Sequence, residues 1–268
     1  MIASFTGTLF HYCVKIDTMA RILAIHAHPD DAEILAGGTL ALLADPGHPL
    51  TIATFTPGDC GSHELGPEEV ADLRRREAAA AAAHIGANYV CLEMRDLTIF
   101  NDDGGRRRVT EALRQARPHI VLASSPVDYL CDHEAASTLA RDACFAAPTP
   151  NYRTGSDPLD AIPHLYFMDP VGGCDREENL VRPDFVVNVA AVFERKRAML
   201  AEHASQRSWL RKHHGTDEYL QQMEQWTRER GALAGVSYGE GFRQYRAYPY
   251  PRTPLLQELL TGAAIGLR

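Results

Sequence analysis

The segment His26-Ala27-His28-Pro29-Asp30-Asp31-Ala32-Glu33 follows the apolar run Ile22-Leu23-Ala24-Ile25 and leads into Ile34-Leu35-Ala36. A run that short and that apolar reads as a buried strand over 21–26, and the apolar-rich stretch after the polar segment reads as a helix over 33–44. The polar residues therefore occupy a strand-to-helix loop. In open α/β sheets, loops leaving the carboxyl ends of strands line the ligand crevice. A strand would send neighbouring side chains to opposite faces, whereas a tight loop lets His28 and Asp31 point to one spot with Asp30 beside them. Pro29 stiffens that loop. The plainer alternative is that Asp30 and Asp31 cap the helix and His28 is an ordinary loop residue, since Asp is a favoured cap.

The same alternation continues outward. Apolar runs at 50–55, 89–92 and 119–123 read as strands, and 67–85 and 106–116 as the helices between them. The helix over 67–85 opens with Pro67-Glu68-Glu69 and stops before Gly86, the asymmetry expected of a helix start and end. A fourth helix is predicted over 132–146 with Asp132 as its cap, then a Pro- and Gly-rich loop over 147–163. Strands at 164–168 and 185–187 and helices at 190–203 and 216–230 complete the pattern. Strands alternating with helices specify an α/β fold, Rossmann-like, with a mostly parallel sheet flanked by helices. No linker or internal repeat divides the chain, so 19–268 is expected to form a single domain, with 1–18 as an N-terminal extension.

A second polar cluster, Asp128-Tyr129-Leu130-Cys131-Asp132-His133-Glu134, follows the strand at 119–123 and also opens a helix. In a doubly wound sheet of order 3-2-1-4-5, strands one and four are neighbours and their loops meet. His133 then comes within reach of His28 and Asp31. Two histidines, one carboxylate and an open position describe catalytic rather than structural zinc coordination. Cys131 is a bystander beside three better ligands.

Composition narrows the function classes. With 27 Lys and Arg against 35 Asp and Glu, the formal charge of −8 offers no basic surface to nucleic acid. No run of about 18 apolar residues spans a membrane. Lys15 and Asp17 spoil the first 18 residues as a secretory leader. The six cysteines are scattered without a C-x-x-C pair and read as free thiols in a reducing cytoplasm. No G-x-G-x-x-G or P-loop follows a strand, so no nucleotide cofactor is expected.

The segment Ala27-His28-Pro29-Asp30-Asp31-Ala32-Glu33 resembles the hallmark of the PIG-L/LmbE-like zinc-dependent N-deacetylases. Thr56-Pro-Gly58-Asp-Cys-Gly61-Ser62, the Arg74, Glu77, Ala81 and Ile85-Gly86 series, Pro118-His-Ile-Val and Asp132-His133 follow in the order of that family, as do His203-Ala-Ser-Gln206 and Tyr238-Gly-Glu-Gly-Phe242. The resemblance covers about 19–250 and implies an LmbE-like fold and removal of an N-acetyl group from an N-acetylglucosamine-type sugar or glycoconjugate. It implies one Zn2+ per chain held by His28, Asp31 and His133, with Asp30 as the base that activates metal-bound water. Iron(II) or cobalt would suit the same ligands. Arg74 and Asp132 are expected at the substrate, with a solvated helix face as the alternative for Arg74 in its run of three arginines. Homo-oligomers are common in such a family. One departure stands out: Leu130 occupies the position, three before the final ligand, where many relatives carry an acid histidine. His203, and after it His63, is the candidate substitute, against a plainer role for His203 at a helix C-terminus. The rival functions are hydrolysis of another amide or ester and a non-catalytic metal- or sugar-binding homologue.

Overall fold

In the computed structural model, which describes residues 19–207 and 218–267, eight strands form one sheet of order β3-β2-β1-β4-β5-β7-β6-β8. They are β1 (Ile22–His26), β2 (Leu50–Thr54), β3 (Asn88–Cys91), β4 (Ile120–Ala123), β5 (His164–Met168), β6 (Phe185–Asn188), β7 (Gly239–Gln244) and β8 (Ala264–Gly266). The first five strands pair in parallel in the expected order, whereas β5-β7, β7-β6 and β6-β8 are antiparallel. The sheet is therefore mixed. The extension expected over 1–18 lies outside the described residues.

Period-two burial sorts the strands into two apolar layers. On one face Ile22, Ala24, Ile52, Leu122 and Tyr166 meet α1 (Asp31–Ala44), α2 (Pro67–Ala83) and α5 (Phe193–Ala201). On the other, Leu23, Ile25, Ala53, Val121 and Phe167 meet α3 (Asp103–Ala116) and α4 (Cys131–Ala146). α6 (Glu218–Leu233) packs Tyr219, Leu220 and Met223 against Phe193 and Leu200, and α7 (Leu255–Leu259) lies near the chain end. Among the described residues no helix is long and apolar enough to cross a membrane.

Helix boundaries moved where polar side chains claimed backbone groups. α3 begins at Asp103 rather than 106 because the Asp102 carboxylate accepts the Gly105 N–H, capping a turn that carries two glycines. α4 begins at Cys131, so Asp132 lies inside the first turn and does not cap it. The 190–203 helix splits into a 3-10 turn at Ala190–Val192 and α5, leaving His203 outside. Of the helix expected over 216–230, residues 216 and 217 lie outside the described residues and α6 continues to Leu233.

Inside α1, the Gly38 and Thr39 N–H groups donate to the Glu240 carboxylate at 2.8 and 2.7 Å, while Lys196 Nζ donates to the Ile34 carbonyl at 2.7 Å and to Glu240. Gly38 is required there, since a Cβ would lie 2.6 Å from Val189. At Gly37 an added Cβ would lie 3.3 Å from Lys196 Cγ.

Candidate metal centre and catalytic cleft

β1 and β4 are paired in register, Ile25 opposite Ala123, so the loops leaving their carboxyl ends open side by side. His28 and Asp31 leave the first loop and His133 the first turn of α4. Their donor atoms form a triangle: His28 Nδ1 to Asp31 Oδ2 is 3.4 Å, His28 Nδ1 to His133 Nε2 is 3.3 Å, and His133 Nε2 to Asp31 Oδ2 is 3.5 Å. Bonds of about 2.0–2.1 Å to a tetrahedral cation separate donors by about 3.3–3.4 Å. The three atoms thus fit one ion with a fourth position free. His26 Nδ1 also approaches Asp31 Oδ2, but at 2.6 Å the two are too close for ligands of one such ion and suit a hydrogen bond.

Each imidazole is held from behind by a carboxylate, the arrangement that orients metal-bound histidines. His28 Nε2 lies 3.1 Å from Asp132 Oδ2, and His133 Nδ1 lies 3.1 Å from Asp128 Oδ1. Asp128 is itself fixed by the N–H groups of Tyr129 and Val171. Asp132 Oδ2 also accepts the Leu97 N–H at 2.7 Å. Asp132, expected at the substrate, lines the cleft, and its Oδ2 is shared by His28 and Leu97.

These charges shift one another. Burial opposes protonation of His28, but Asp132 and Asp31 prevail and raise it to about 10 in the metal-free protein. Burial likewise opposes the His133 proton, yet Asp31 and Asp128 raise it. Burial would raise Asp31, but His26 and His133 hold it well below the usual carboxylate range. A carboxylate kept ionised among imidazoles is a ready cation ligand.

Asp30 sits at φ 98°, ψ −29°, a left-handed conformation that L residues rarely adopt. Its carboxylate does not cap α1. Instead Oδ2 accepts the Tyr219 hydroxyl at 2.6 Å and lies 3.4 Å from Arg74 Nη2. Such strain costs about 1–3 kcal/mol and persists at functional positions. Burial raises the Asp30 carboxyl above its ordinary range, against the pull of Arg74.

Arg74 is only 4% exposed, which excludes the solvated helix face. Its Nη2 donates to the Pro29 carbonyl at 2.6 Å, and Gly58, at φ 76°, leaves the room that a Cβ 2.2 Å from Nη1 would fill. His203 is fully buried, with Nε2 3.8 Å from Glu33 Oε2, and is not among the residues that line the cleft. His63 is exposed and does not line the cleft either.

The cleft has a volume of about 410 Å³ and contains His28, Asp30, Asp31 and His133 together with Arg74, Asp96, Asp132, Tyr219 and Gln206. Sequence reasoning assigned no role to Asp128, Asp96, Tyr219 or His26. Asp128 had a signal, its place in the His133 loop; Asp96 and Tyr219 arrive from a distant loop and from α6 and had none. Among the described residues the five cysteines are free, and Cys13 lies outside them.

The family model described as PIG-L, GlcNAc-PI de-N-acetylase, matches residues 23–144. A 4-oxalmesaconate hydratase from Pseudomonas putida is 30% identical over 192 residues, covering 69% of this chain and 73% of the relative. A diacetylchitobiose deacetylase from Thermococcus kodakarensis is 27% identical over 199 residues, covering 69% and 70%. The solved N,N'-diacetylchitobiose deacetylase of Pyrococcus horikoshii superposes with a TM-score of 0.72 at 26% identity, covering 88% of this chain and 89% of that one. With a relative of 30% identity matched over most of its length, and a polar site built on the loops that the family model spans, the chain belongs to the PIG-L (GlcNAc-PI de-N-acetylase) family.

Proposed function

We propose that this protein is a zinc-dependent N-deacetylase acting on an N-acetylglucosamine-type sugar or glycoconjugate, with Asp30 as its proton carrier. The observation that carries the reading is the His28, Asp31 and His133 triangle with the Asp30 carboxyl in the same cleft. A zinc ion on these three residues supplies Lewis acidity, acidifying water and polarising a carbonyl oxygen. Asp30 takes the proton of the attacking water, its carboxylate aimed by Tyr219 and Arg74. Asp30, protonated in that step, then returns the proton to the amine nitrogen as the C–N bond breaks. One carboxyl then serves as base and acid, which accounts for Leu130 where an acid histidine was expected. Acetate and a free amine leave.

Charge supports an uncharged amide substrate. The described cleft residues include four carboxylates, Asp30, Asp31, Asp96 and Asp132, against the single guanidinium of Arg74, already committed to Asp30 and Pro29. A dication offsets two of those charges, so a polyanionic substrate gains nothing there. Gln206 and Gln222 offer amides to sugar hydroxyls, and Tyr129 and Trp226 offer rings to sugar faces.

A second reading, water addition to a carbon–carbon double bond, is favoured by the 30% identity to the Pseudomonas hydratase. Zinc-loaded protein is incubated with N-acetylglucosamine glycosides and with conjugated unsaturated tricarboxylates, following acetate release and loss of conjugated absorbance. Acetate release abolished by Asp30→Asn supports deacetylation; absorbance loss alone transfers the chain to the hydratase chemistry.

A further inference from the structure

The two loops that orient the cluster from the α3/α4 side carry an unusual load of apolar side chains. Of the eleven large apolar residues exposed among the described ones, four lie there: Leu97 and Phe100 between β3 and α3, Val127 and Tyr129 between β4 and α4. Leu97 and Tyr129 are 60% and 62% exposed and both line the cleft, as does Leu130. In a chain of net charge −8, a concentrated apolar lip at the mouth of a charged site marks a ligand surface.

Leu97 adds an independent observation. Its backbone is held at φ 62°, in the left-handed region that a leucine avoids, with its N–H locked on Asp132 Oδ2 at 2.7 Å. Glycine or asparagine is the ordinary occupant of such a position. A strained backbone that presents an exposed leucine is the pattern of a ligand clamp. Tyr129 lines the cleft beside His133, the two rings T-shaped with centroids 5.5 Å apart at 82°. The rest of the lining mixes the polar Asp30, Arg74, Tyr219 and Gln206 with Ile34, Val171 and Trp226.

Resting on the reading of this site as an amide hydrolase, the geometry points to a substrate that bears an apolar substituent, aryl or alkyl, which lies on Leu97, Tyr129 and Leu130 while its N-acetyl group reaches the metal cluster. An unsubstituted sugar leaves that lip wet. A glycoside of an aromatic or fatty alcohol covers it, removing apolar surface from water on both partners.

The test compares methyl, phenyl and octyl N-acetylglucosaminides as substrates of the zinc-loaded wild type, Leu97→Gly and Tyr129→Ser. Phenyl and octyl glycosides are expected to show a KM about tenfold below that of the methyl glycoside at similar kcat, and that ratio is expected to fall toward one in both variants. Leu97→Gly places glycine at a φ it adopts freely, so a melting temperature no lower than wild type separates lost binding from lost folding. Equal KM values across the three wild-type reactions overturn the inference, and so does a preference that survives both substitutions. If no glycoside releases acetate, the deacetylase reading falls and the inference is decided by calorimetry with acetohydroxamate, benzohydroxamate and octanohydroxamate on the zinc-loaded protein. Affinity rising with the apolar group and lost in the variants sustains the lip; equal affinities overturn it.

Discussion

Asp132→Asn separates a residue that orients a metal ligand from one that binds substrate. In the wild type, Asp132 is 2% exposed and its Oδ2 lies 3.1 Å from His28 Nε2 and 2.7 Å from the Leu97 nitrogen. An asparagine oxygen still accepts the Leu97 N–H, so the loop stays in place. What is lost is the negative charge behind His28, which fixes the tautomer that turns Nδ1 toward Asp31 and His133. Removing such a partner typically weakens metal binding about 10- to 100-fold, or about 1.4–2.8 kcal/mol at about 1.4 kcal/mol per decade. Competition with a fluorescent chelator at neutral pH measures the zinc Kd. At one free zinc concentration the thermal stabilisation by metal shrinks by the same free energy. Asp128→Asn, behind His133, is expected to behave alike. A zinc Kd within twofold of wild type, combined with a raised KM, refutes the reasoning and returns Asp132 to the substrate.

Asp30→Asn is expected to lower kcat about 10²- to 10⁴-fold while metal content, measured by atomic emission, stays stoichiometric, because Asp30 is not in the donor triangle. His28 is raised from 6.5 to about 10 in the metal-free protein, so its charge stabilises the fold fully below pH 6.5 and that contribution is lost as pH rises to about 10. Zinc must displace this proton, so calorimetric melts are expected to fall over that window in metal-free protein and to stay level with zinc bound; a metal-free melt that rises with pH contradicts the assignment. Lys196→Met leaves the Glu240 carboxylate buried beside α1 without its cation and is expected to cost about 3–5 kcal/mol in denaturant unfolding, with part of the loss recovered by adding Glu240→Gln.

The sequence by itself determined the parts that depend on neighbours along the chain. A five-residue apolar strand, a proline-stiffened polar loop and a helix start place His28, Asp30 and Asp31 within one turn of each other, and local spacing is enough for that. The same holds for His133 in the first turn of α4 and for the alternation of strands and helices, whereas the order of the first five strands is one of several that such an alternation allows. Strand β7 was not legible: Gly239-Glu240-Gly241-Phe242-Arg243-Gln244 has almost no apolar pattern, because Gly241 makes room for Asp169 and Glu240 turns to Lys196. Nor did spacing reveal that Tyr219 from α6 and Arg74 from α2 would meet on the Asp30 carboxylate, or that His203 would be buried beside Glu33. Those contacts join residues 44 to 189 positions apart, and only tertiary packing decides which buried polar atoms must satisfy one another.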